Sequence, residues 1–66
     1  MQSYRSYHLR GDGHIFQGEW FDAKDDGDAL ERMRAQRFGH VVEVWQRARR
    51  IGRVDAVDAS LRSNAA

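Results

Sequence analysis

The stretch Gly39-His40-Val41-Val42-Glu43-Val44-Trp45-Gln46 decides the fold. Residues 40–46 are β-branched and aromatic with no breaker among them, and they read as a strand. The following Arg47-Ala48 is a two-residue turn, and residues 49–54 form a returning strand. Working back from Gly39, residues 27–38 have helical spacing, with Ala29, Leu30, Met33 and part of Phe38 as a modest apolar stripe. Gly39 is the expected left-handed C-cap. Asp25 or Asp26 caps the other end, because a short carboxylate accepts from the free amides of the first turn. Asp28 and Glu31 precede Arg32, Arg34 and Arg37, the order that suits the helix dipole.

Further back, residues 3–10 and 14–21 are two strands joined by Gly11-Asp12-Gly13. A three-residue hairpin loop needs a left-handed residue where Gly13 stands. The order is therefore ββαββ. An α+β fold follows: a four-stranded antiparallel sheet with one helix packed on one face. Residues 1–54 form this single domain. Residues 55–66 are a small polar tail, expected to be disordered or a short helix; Val54, Val57 and Leu61 have helical spacing but too little apolar content to fold alone.

Several segments carry a resemblance: Tyr4-Arg5-Ser6-Tyr7-His8-Leu9, Gly11-Asp12-Gly13-His14-Ile15, Phe21-Asp22-Ala23 through Asp28-Ala29-Leu30, and Gly39 to Gln46. Over residues 4–54 the chain resembles a group of short bacterial proteins with no assigned activity. Their pattern is Y-R-x-Y-F-L-D-x-D-G-x-I, an acidic stretch, a helix, then G-H-x-V-E-x-W-Q-G. The resemblance implies the fold and no catalytic residues. The chain departs from the pattern at Arg37, where the group is apolar, and at Arg47, where it has glycine.

The chain has 66 residues. A domain of this size buries only about 60% of its unfolded surface, and small scaffolds are usually supplemented by disulfides, a metal or oligomerisation. The absence of cysteine excludes disulfides and thiolate metal sites and fits a reducing cytoplasm. No apolar run approaches the roughly 18 residues that span a bilayer, and Met1-Gln2-Ser3-Tyr4-Arg5 lacks the apolar core of a signal peptide. A soluble, cytoplasmic homodimer is expected, with no membrane partner.

Alternation divides the strands into two faces. Opposing Leu9 to Ile15 and Val44 to Ile51 gathers Tyr7, Leu9, Ile15, Phe21, Val42, Val44 and Ile51 on one face, assigned to the helix. Tyr4, His8, Phe16, Trp20, Val41, Trp45 and Val54 fall on the other. One-sided antiparallel sheets turn polar residues outward. A second apolar face with two tryptophans is instead the composition of an interface. Tyr4, Phe16, Trp20, Val41, Trp45 and Val54 are thus the candidate contact residues, for a second copy or the tail or, less favoured, another protein or single-stranded nucleic acid stacked on Phe16, Trp20 or Trp45.

The charges are asymmetric: residues 1–31 carry seven acids against three bases, residues 32–66 eight bases against three acids. Arg47, Arg49, Arg50 and Arg53 are the alternative site, an arginine-rich hairpin for nucleic acid. Glu19, Asp22 and Glu43 are competing internal partners.

Other chemistry is poorly supplied. Asp22, Asp26 and Gly27 imitate positions of a calcium loop, but Lys24 falls inside the cage and Met33 where a bidentate glutamate is needed. His8 and His14 are expected near one another across the first hairpin, without the third ligand a zinc site requires. Nucleophile, base and a pocket do not converge. The reading is a non-catalytic interaction module without metal or cofactor.

Overall fold

A computed structural model describes residues 1–57. Its elements are β1 (Gln2–Leu9), β2 (Ile15–Ala23), α1 (Asp26–Ala35), β3 (Val41–Gln46) and β4 (Arg49–Val54). They form one antiparallel sheet in the order β2-β1-β3-β4, with α1 lying over β4, β2 and β3. The ββαββ fold is as expected. Residues 58–66 of the expected tail lie outside the described residues.

Local chemistry sets the boundaries. Gly13 adopts φ 89 in the first hairpin, where Arg10 N–H donates to the His14 carbonyl at 2.8 Å. Asp25 caps α1 by accepting from Asp28 N–H at 2.8 Å, and the Asp28 carboxylate accepts from Lys24 N–H at 2.9 Å. The helix ends at Ala35, three residues before the expected Phe38. Arg37, not Gly39, takes the left-handed conformation, with φ 54. Arg37 thus lies past the helix, not in its last turns as expected. Val57 N–H donates to the Phe38 carbonyl at 2.8 Å, which returns the chain to the helix exit.

The core lies between sheet and helix. Tyr4, Ala23, Ala29, Met33, Val42, Val44 and Val54 are buried, and Phe21, Leu30, Phe38 and Ile51 pack against them. Leu30 reaches β4 over Gly52, where the missing side chain gives it room.

Two bulges decide which residues join this core. One lies between His8 and Leu9: Leu9 pairs with Ile15 as expected, but His8 pairs with Gln17. The extra residue reverses parity along the rest of β2, so Phe21 no longer shares a face with Ile15. The second lies between Val44 and Trp45, which pair with Gly52 and Arg50. It moves Val54 opposite Val42, on the helix side. Val42 and Val44 face the helix as expected. On β1 the assignment is inverted: Tyr4, Ser6 and His8 are buried, while Tyr7 and Leu9 turn to the open face.

Candidate interaction face

The register places Trp20, Arg5, Trp45 and Arg50 in one row across all four strands of the open face. Gly18, Tyr7, Glu43 and Arg53 form the next row, and Ile15, Leu9 and Val41 a third. Among the described residues no helix lies over these rows, because α1 packs on the other face.

Arg5 is the centre of the arrangement. Its guanidinium carbon stands 4.8 Å from the Trp20 ring centroid and 5.6 Å from that of Tyr7. Such cation–π contacts hold a charged group against rings without a carboxylate. Gly18 makes the position available, since a Cβ there would meet Arg5 Nη2 at 3.0 Å. Arg5 Nε is buried without a hydrogen-bond partner among the described residues. Tyr7 meets Trp45 edge-on at 6.3 Å. Trp45 Nε1 donates to Glu43 at 3.1 Å, and Glu43 also receives Arg50 at 3.6 Å. These contacts fix Tyr7 and Trp45, which are partly buried, while Trp20 remains 66% exposed and Ile15 56%.

Of the six contact residues expected from sequence, Trp20, Val41 and Trp45 lie on the open face. Tyr4 and Val54 do not: they are core residues at 0% and 8% exposure. Phe16 is partly exposed but sits with His8 and His40, at ring distances of 6.2 and 5.0 Å, on the helix side. The bulges and the inverted β1 account for all three. Arg5 and Tyr7 were missed. An arginine between aromatics on one strand is a weak signal until the register brings Trp20 beside it.

The four hairpin arginines do not converge. Arg49 turns to the helix side and binds Asp26 at 3.0 Å, Arg50 binds Glu43, and Arg53 binds Asp55 at 3.4 Å. Arg47 occupies the turn with φ 56.

A second polar cluster lies on the helix side. His8 Nδ1 is 2.7 Å from His40 Nε2, and His8 Nε2 is 3.2 Å from Ser6 Oγ. Phe38 meets His8 edge-on at 4.9 Å. Burial and then the neighbouring His40 push the His8 imidazole below its ordinary value, with Glu19 opposing them. The expected His8–His14 neighbourhood is absent: His14 instead pairs with Asp12 at 3.0 Å. Ser6 is about 1% exposed, so its link to His8 does not offer a nucleophile to solvent. No helix among the described residues is long and apolar enough to cross a membrane.

No protein-family model, curated protein or solved structure matches the chain.

Proposed function

We propose that the protein is a small non-catalytic interaction module that self-associates through its open aromatic sheet face. The observation that carries the reading is the exposed indole of Trp20, held by Arg5 beside Tyr7 on a face the helix does not cover. Tryptophans in such settings are typical hot spots, and losing one costs about 2 kcal/mol or more, roughly thirtyfold in dissociation constant. Burying this face also provides the supplement that a domain of this size needs.

The arginine hairpin gives less support to a nucleic-acid role. Three of its four arginines already meet carboxylates of the chain, which leaves few free charges for phosphates.

Sedimentation equilibrium from micromolar to millimolar concentration tests the proposal. The wild type is expected to associate, with little change on raising the salt. Trp20→Ser is expected to remain folded and monomeric, because the indole contributes little to the core. A wild type that is monomeric throughout overturns the reading, and salt-sensitive retention on single-stranded nucleic acid favours the alternative.

A further inference from the structure

β2 is a margin of the sheet: β1 pairs along one side, and among the described residues nothing pairs along the other. Natural edges are protected by shortness, charged side chains (lysine above all), proline or a bulge. β2 is nine residues long, contains neither lysine nor proline, and has only Glu19 and Asp22 as charged guards. Its bulge falls near its start, so the pairing from Gly18 to Ala23 is regular.

The hydrogen-bonding direction follows from the hairpin. Arg10 and His14 form a bonded pair, and antiparallel ladders alternate bonded and non-bonded pairs. Counted through the register, Glu19, Phe21 and Ala23 bond inward to β1. Gly18, Trp20 and Asp22 direct their N–H and C=O groups out of the edge.

We propose that β2 pairs antiparallel with β2 of a second copy about a two-fold axis at Trp20, giving one eight-stranded sheet. This rests on the self-association proposed above, keeps Trp20 at its centre, and replaces burial of the whole open face by a contact along the β2 margin. The occupant is selected by the side chains. Glu19 and Asp22 are the only charges on β2. An axis at Glu19 would set two carboxylates face to face, and an axis at Gly18 would bring the bulge into the ladder. At Trp20, the two indoles become cross-strand neighbours, Gly18 faces Asp22 of the other copy, and Glu19 faces Phe21. Aromatic cross-strand pairs stabilise a ladder and like charges oppose it. The other margin, β4, carries Arg49, Arg50 and Arg53 and no acid, so pairing two copies of it gathers more like charge than pairing two copies of β2.

Amide exchange by NMR on the full chain, at one concentration where sedimentation gives monomer and one where it gives dimer, tests the geometry. The amides of Gly18, Trp20 and Asp22 are expected to exchange at least tenfold more slowly in the dimer. Asp22→Pro, which removes an outward N–H and leaves the β1 ladder intact, is expected to keep the monomer's circular dichroism and lose the dimer. A dimer in which these three amides exchange at monomer rates overturns the edge contact while self-association stands. Growth beyond a dimer overturns the two-fold axis. A chain that never associates overturns both proposals.

Discussion

His8 Nδ1 and His40 Nε2 stand 2.7 Å apart, and this contact ties the segment after α1 to β1 across the end of the core. Two imidazole nitrogens in that geometry hold one proton between them. Protonating His8 makes both its nitrogens donors, which Ser6 Oγ and the lone pair of His40 Nε2 can accept, so the cost lies in burying the charge and in setting it beside His40. The Phe16 and Phe38 rings beside the pair offer no carboxylate, and Glu19 is the acid that acts on His8.

A pH dependence follows. The folded value of His8 is depressed, by burial first and by His40 second. Its contribution to stability is therefore complete above the unfolded value of about 6.5 and is lost as the pH falls through the folded value. Urea unfolding between about pH 7.5 and pH 5 is expected to show falling stability. His8→Phe, with a ring that suits Phe16 and Phe38, should flatten that slope. Equal slopes in the two proteins would remove His8 as the cause.

Two arginines occupy backbone conformations that glycine adopts without strain. Arg37 has φ 54 at the helix exit, and Arg47 has φ 56 in the β3–β4 turn. A side chain in the left-handed region costs on the order of 1 kcal/mol. Arg37→Gly and Arg47→Gly are each expected to stabilise the fold by about 0.5–1 kcal/mol, raising Tm by roughly 2–8 °C. The two sites lie at different turns, so the effects should add. Calorimetry of both single variants and the double variant checks this, and a drop in Tm for either would contradict the strain argument.

The packing of α1 on β4 turns on Gly52. A Cβ there would come within 3.1 Å of Leu30 Cδ2 and 3.3 Å of Leu30 Cδ1. Leu30 is half-buried and its end is flexible, so Gly52→Ala should cost little. Gly52→Val forces the leucine aside and is expected to cost about 1–3 kcal/mol. Leu30→Ala should recover part of that loss in the valine background, giving a coupling of about 0.5 kcal/mol or more in a double-mutant cycle. Strict additivity would place the strain elsewhere.

Much of this architecture is legible in the sequence. Val41-Val42-Glu43-Val44-Trp45 alternates cleanly, and Val42 and Val44 do face the helix. Gly13 marks the first hairpin, and the helix entry is Asp25, one of the two caps the acidic stretch offers. The sides of β1 and parts of β2 and β4 were not legible, for two reasons. Each bulge inserts one residue and reverses parity beyond it. The buried side of β1 also carries Ser6 and His8, so hydropathy favours Tyr7 and Leu9. Gly18 and Gly52 were the available signals: isolated glycines in strand patterns often accompany bulges, and each follows a bulged stretch here. Nothing local announces His8 and His40, which meet only through the fold.

Tyr4, Asp26 and Arg49 link three elements and predict a loss of stability at both ends of the pH scale. The Tyr4 hydroxyl donates to Asp26 Oδ1 at 3.0 Å, while Arg49 reaches the same carboxylate at 3.0 and 3.3 Å. Arg49, then Tyr4, holds the Asp26 carboxyl below its ordinary value. That contribution is present above the unfolded value of about 3.9 and is lost as the pH falls through the folded one. Burial, followed by the bond to Asp26, pushes the Tyr4 phenol above its ordinary value. Its contribution is complete below the unfolded value of about 10 and is lost as the pH rises through the folded one. Asp26→Asn should reduce stability near neutral pH and weaken its dependence on acid. Tyr4→Phe should leave the ring packing with Phe21, centred 5.8 Å away, and remove the late component of an ultraviolet phenolate titration. If that component survives in Tyr4→Phe, the buried phenol is not the late-titrating group and the link to Asp26 does not govern the alkaline limb.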